Sequence, residues 1–195
     1  MVAALGWGTS RALQRPDLRP VVFGPQDGAR AQQKIFELAR RGARSGTVAL
    51  SEAEVNAFVA HHVDPNDLPV SEPNIRLLGN NVLRVEGRIS IRRLLEESPL
   101  AVVGRSLPGR WREQPVWVTV ILNTRIDTEP RRTLRLEPRR FAVGRQWLPV
   151  IVLRILANPA GLRYTRIGLP GDASDVRVED GQVVIVLGPS ARQRI

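Results

Sequence analysis

A chain of 195 residues is long enough for one domain with a real hydrophobic core, and 43% hydrophobic with 25% charged residues are ordinary globular values. The charge is not ordinary: 29 Lys+Arg against 19 Asp+Glu give +10, and Lys34 is the only lysine. With no cysteine, a disulfide framework and a thiolate metal site are both excluded.

The apolar opening Met1–Gly8 is too short to cross a bilayer and lacks the basic start of a signal peptide. Two readings fit it, a frayed terminus or the remnant of a membrane anchor, the second favoured by Trp7 with Arg11 and Arg15 nearby. Residues 1–28 are read together as an extended N-terminal linker, because Pro16, Pro20, Pro25, Gly24 and Gly28 interrupt any helix. From 29 the pattern becomes an amphipathic helix that ends at Gly42, with Ile35, Phe36, Leu38 and Ala39 on one face. Thr47–Leu50 is a short strand. Ser51-Glu-Ala-Glu54 then forms a capping box opening a helix that buries Val55, Phe58 and Val59 and stops before Pro65.

Beyond the loop at 64–73 the chain turns β-rich. Ile75–Leu78 leads through an Asn80-Asn81 hairpin turn into a strand where Leu83, Val85, Gly87, Ile89 and Ile91 alternate with Arg84, Glu86, Arg88 and Ser90. A short helix over 92–97 and a loop over 99–112 follow. Pro115–Thr128 is the longest strand, with Val116, Val118, Val120, Leu122 and Ile126 on one face; its first half is apolar on both faces through Trp117 and Ile121. Leu134–Val143 continues as one or two strands around Pro138.

Phe141–Leu156 then delivers eleven residues, Trp147–Ala157, that are apolar except for Pro149 and Arg154. A surface helix keeps a polar face, so this helix, starting near Pro149, must be buried, lie against a membrane or line a greasy cavity. The expectation is a helix buried on most sides. A hairpin around Asp180-Gly181 closes the domain, and 189–195 is a flexible tail. The order of elements predicts an α+β domain over 29–188, a curved antiparallel sheet with two or three helices packed on one face.

No constellation carries chemistry. His61 and His62 adjoin Asp64 and Asp67, but neighbouring helical residues point about 100° apart, so no metal site is expected. Glu96-Glu97 and Asp172, Asp175 and Asp180 sit by turns, where carboxylates solvate. Ser51 is used as a cap, Ser106 and Ser174 lack a nucleophile signature, and the Gly104–Gly109 segment is no phosphate loop. The protein is expected to be non-enzymatic and without a cofactor. Arginine suits phosphate, of nucleic acid or of lipid headgroups. The arginines come as scattered pairs (Arg40-Arg41, Arg92-Arg93, Arg131-Arg132, Arg139-Arg140), which favours a coding bias over a phosphate site, and no nucleic-acid motif accompanies them.

Two segments resemble known proteins. Val48-Ala-Leu-Ser-Glu-Ala-Glu-Val-Asn-Ala-Phe58 resembles the opening of several bacterial envelope domains. Phe141-Ala-Val-Gly-Arg-Gln-Trp-Leu-Pro149, with the apolar helix and strand pair after it, resembles the YpmS-like envelope family, similar in outline to tubular lipid-binding domains. The resemblance implies an extracytoplasmic, membrane-anchored domain wrapping lipid, with structural jobs for Asn56, Gly144 and Pro149; the complete membrane helix of that family is missing here.

The function expected is therefore binding of lipid or another hydrophobic ligand between sheet and helices in the cell envelope. The candidate lining is Val55, Phe58, Val59, Val118, Val120, Trp147, Leu148, Val152, Ile155 and Leu156. Arg154 would reach a headgroup or charge partner, and the basic surface would face an anionic membrane. The alternatives are a protein–protein interaction or scaffold module without a cavity, and a basic nucleic-acid-associated protein. Oligomeric state stays open.

Overall fold

The computed structural model describes residues 14–17, 19–41, 46–64, 70–96, 108–127, 133–156, 166–169 and 173–188. The expectations for Met1–Gly8, for the chain just beyond Leu156 and for the tail at 189–195 lie outside these residues. The fold is α+β and antiparallel throughout, as expected, but the strands divide between two sheets. The first element is α1 (Pro25–Arg41), followed by β1 (Gly46–Ser51), α2 (Glu52–His62), β2 (Ser71–Gly79), β3 (Val82–Ser90) and the short helix α3 (Ile91–Glu96). A helical turn α4 (Gly109–Arg112) precedes β4 (Pro115–Asp127), β5 (Thr133–Val143), β6 (Gln146–Leu148), helix α5 (Val150–Leu156), β7 (Arg166–Gly168), β8 (Ala173–Glu179) and β9 (Gln182–Leu187).

Helix α1 begins four residues before the expected start. Pro25 is tolerated in a first turn because its missing N–H has no helical partner there. Asp27 caps the turn by accepting from the Gly24 N–H at 2.8 Å. Gly28 does not break the helix: it is buried against α2, where a Cβ would lie 3.8 Å from His61 and 3.9 Å from Ala57. With Ala31 and Ala57 fully buried, the two helices meet through their smallest side chains. They pack beside the three-stranded sheet β1-β9-β8, whose core cluster joins Leu38 to Val48, Leu187 and Ile185.

Strands β2-β3-β4-β5-β6 form the larger sheet, with β7 pairing the far end of β5. Asn80 and Asn81 take positive φ (52° and 59°) in the β2–β3 turn, a conformation that Asn tolerates well. Strand β3 ends at Ser90, whose hydroxyl accepts from the Arg93 N–H and opens α3. Pro138 does not split β5; the register shifts beside it, so that Ile121 faces Arg140 and Leu122 faces Pro138, leaving Arg139 as the extra residue of a bulge.

The two turns butt together and join the sheets. Asn81 donates its N–H to the Val178 carbonyl at 2.9 Å, accepts from the Val178 N–H at 3.0 Å through its side chain, and its carbonyl takes the Thr124 N–H at 2.7 Å. Gly181 donates to the Leu77 carbonyl at 3.1 Å and accepts from the Glu52 N–H at 2.9 Å, tying the second hairpin to β2 and to the start of α2.

Candidate functional site

The register of the large sheet sorts its side chains by face, since residues paired across strands share a side. One row runs Ile75, Val85, Val120, Phe141, Leu148 across five strands. The next runs Leu77, Leu83, Leu122, Pro138; a third sets the buried Thr124 against Leu136, and a fourth joins Ile126 to Leu134 and Ile167. Toward the other end stand Gly87 with Val118 and Val143, and Ile89 with Val116. This face is thus almost wholly apolar from edge to edge.

Leu77, Val116, Val118 and Phe141 on this face are buried, whereas Leu83, Val85, Val120, Leu122, Leu134 and Leu136 are only half-buried. At Gly87 the face is closed by Val70, whose Cγ2 would lie 2.5 Å from an added Cβ.

The opposite face is polar: Asn74, Glu86 and Thr119 share one row with Ala142 and Trp147, and Arg76 and Arg84 share another with Ile121 and Arg140. The segment before α1, expected to be a linker, lies against it. Arg15 stacks 5.2 Å over Trp117, the Val21 N–H donates to Asn74 at 3.0 Å, and Arg76 donates to the Arg19 carbonyl at 3.1 Å. A cavity of about 260 Å³ there is lined by Asp17, Arg19, Arg76, Leu78, Arg84 and Glu86. It is polar, not the apolar pocket expected. Several of its charges are paired: Arg76 lies 3.0 Å from Glu52, Arg84 lies 3.7 Å from Glu86, and buried Glu86 accepts from Asn74 at 2.8 Å.

The expected lining residues do not converge. Val118 and Val120 stand on the apolar sheet face with Leu148, while Trp147 points to the opposite face, because adjacent strand residues alternate. Val55, Phe58 and Val59 lie on α2, which packs on α1, β1 and β2, whereas Val152, Ile155 and Leu156 lie on α5, which packs on β5.

Two burial expectations are corrected. On α2 the buried residues are Glu54, Asn56 and Ala57; Val55, Phe58 and Val59 are half-buried, Phe58 stacking on His62 at 4.7 Å between ring centres. The polar residues face inward because each has backbone to satisfy. On α5 no residue is buried: Ile151 is 57% and Ile155 43% exposed, and Arg154 reaches solvent.

Asn56 has the structural role that the resemblance implies. Its side-chain amide accepts from the Ile75 N–H at 2.8 Å and donates to the Ile75 carbonyl at 2.7 Å and to the Glu52 carbonyl at 2.8 Å. The Glu52 carboxylate takes the Leu77 N–H at 2.6 Å. Helix α2 therefore occupies the open edge of β2 with side chains where another strand would pair. Gly144, at φ 57°, makes the β5–β6 turn, and the Pro149 carbonyl accepts from the Val152 N–H as α5 begins.

Electrostatically the capping box carries a further load. The Glu54 carboxylate, 4% exposed, accepts from Lys34 Nζ at 2.8 Å and from the Ser51 N–H at 2.8 Å. Burial pushes its pKa up, but the bonds from Lys34 and Ser51, with the Lys34 and Arg30 charges, outweigh that and hold it below the ordinary carboxylate value. Lys34 also donates to the Ala49 carbonyl at 2.8 Å. The chain's only lysine thus ties α1, β1 and α2 together.

Among the described residues no group of three His, Asp or Glu side chains is placed to hold a metal ion, and no helix is long and apolar enough to cross a membrane. No family model, curated protein or solved structure matches the chain.

Proposed function

We propose that the protein is a non-enzymatic cell-envelope domain that holds lipid, or a ligand of similar apolar character, against the apolar face of its large sheet. One observation carries this reading: the row Ile75, Val85, Val120, Phe141, Leu148 crosses five strands without a polar residue, and only its Phe141 member is fully buried. A sheet needs one apolar face to pack, but it gains most by covering that face completely. The half-buried leucines and valines beside this row are the contact surface that an acyl chain would complete. The envelope assignment rests on the resemblance of Val48–Phe58 and Phe141–Pro149 to envelope domains.

Native mass spectrometry of protein purified from cells tests the reading. Expected is a mass exceeding the chain by that of a lipid, lost in Leu136→Asp while the melting temperature changes little; Val120→Thr, which keeps shape, should weaken retention without unfolding. A bare chain mass with self-association would favour an interaction module instead, and retention of lipid by both variants would move the site off this face.

A further inference from the structure

We infer that the rim formed by β6, α5 and β7 is the surface by which the protein docks on an anionic lipid bilayer. These elements follow one another along the β5 edge: β6 pairs 141–143, α5 packs on the strand, and β7 pairs 133–135. Between the two paired ends lies 136–140, where Pro138 has no N–H to offer an edge partner and Arg139 is the extra residue of the bulge against β4.

Four of the eight large apolar side chains exposed among the described residues lie on this edge: Trp147, Ile151, Ile155 and Ile167. Ile151, Arg154 and Ile155 make the outward stripe of α5, at spacings of three and four residues, while Val152, Leu153 and Leu156 turn inward and are half-buried. Such a stripe is costly in water, and the charges beside it say what covers it.

Arg139, Arg154 and Arg166 are exposed with no carboxylate partner among the described residues, and Arg140 stacks 5.8 Å from the Trp147 ring centre. Among the described residues, Glu137 on β5 is taken by Arg135 at 3.2 Å and Asp17 by Arg145 at 2.7 Å. A bilayer surface offers both complements at one depth. Isoleucine and the tryptophan ring enter the acyl boundary, and guanidinium groups reach headgroup phosphates on long stems. Each basic residue near an anionic leaflet raises affinity roughly 5-fold, so three unpaired arginines correspond to a preference on the order of 100-fold over a neutral bilayer.

The test is flotation of the full chain with phosphatidylcholine vesicles, alone or mixed with phosphatidylglycerol. Expected is binding to the mixed vesicles only, falling steeply toward about 1 M salt, where screening acts within about 3 Å. Ile151→Glu/Ile155→Glu and Arg139→Gln/Arg154→Gln/Arg166→Gln should each lose binding by ~10-fold or more, with unchanged circular dichroism. Phe36→Glu, at a 59% exposed position on α1, should bind as the parent does.

Absence of binding to either vesicle, equal binding by the isoleucine variant, or a self-associated species dissolved by that variant would each overturn the proposal. The proposal concerns where the chain meets a bilayer, not what the sheet holds. Protein that co-purifies with lipid but ignores vesicles overturns docking alone; protein that docks but carries no lipid overturns the sheet reading alone.

Discussion

At the scale of single residues, the least typical member of the composition is the most constrained. Lys34 stands alone among the cations as the only lysine, and its ammonium serves the Glu54 carboxylate and the Ala49 carbonyl together. Removing one partner of a shielded charge pair costs more than the pair contributes, because the survivor stays desolvated. Lys34→Met is expected to destabilise the fold by about 2 kcal/mol, read as a lower urea midpoint at unchanged slope. Glu54→Gln should cost less, since an amide can still accept from Ser51. The sign of the pH dependence follows from the pKa direction. Glu54 is depressed in the folded state, so its stabilisation is full above the ordinary carboxylate pKa and is lost as pH falls through the lower folded value. A midpoint difference between parent and Glu54→Gln that shrinks on acidification is the expected result; one that grows would contradict the assigned partners.

At the scale of elements, α2 shows what an edge strand requires. A free β2 edge would present unpaired N–H and C=O groups to any other strand. Asn56 meets both such groups of Ile75, and Glu52 meets that of Leu77. Asn56→Ala should cost about 2–3 kcal/mol and should raise aggregation on heating, followed by light scattering against a urea titration. Asn56→Asp should fail similarly, because it cannot donate to the Ile75 carbonyl without being protonated. The capping box, the two hairpin turns and the alternation in β3 and β4 were legible in the sequence because each is a local pattern with a local cause. Residues that act across the chain were not. Val55, Phe58 and Val59 read as the buried face of α2, yet a helix of low amphipathicity turns inward whichever residues have distant backbone to satisfy. The run at 150–156 showed that something apolar must adjoin it but not whether the chain supplies that cover, and the structure leaves its outer stripe open. Trp147 and Leu148 read as one lining until the strand placed them on opposite faces.

At the scale of the whole molecule, the chain nests one sheet within another. The small sheet takes β1 from before the large sheet and β8 and β9 from after it, so the large sheet is an insertion between strands that must find each other. Such non-local pairing closes only if the inserted unit returns its ends together, and the contact at Asn81, Thr124, Val178 and Gly181 holds them there. Asn81 contributes twice, by tolerating φ 59° and by its side-chain bond to Val178. Two substitutions separate these contributions. Asn81→Gly keeps the backbone conformation and loses the bond, for an expected cost of about 1 kcal/mol. Asn81→Ala loses the bond and adds left-handed strain, for about 2 kcal/mol or more. Because the joint links two sheets, both losses should lower one shared transition. Urea curves from tryptophan fluorescence, which includes Trp117 and Trp147 of the large sheet, and from far-ultraviolet circular dichroism, which reports all strands, should coincide in the parent and in Asn81→Gly. Divergence of the two curves in the parent would mean that the sheets melt separately, and the Asn81 contact would then be a point of touch between independent units. Coincidence in the parent with divergence in Asn81→Ala alone would locate the cooperativity of the fold in this turn.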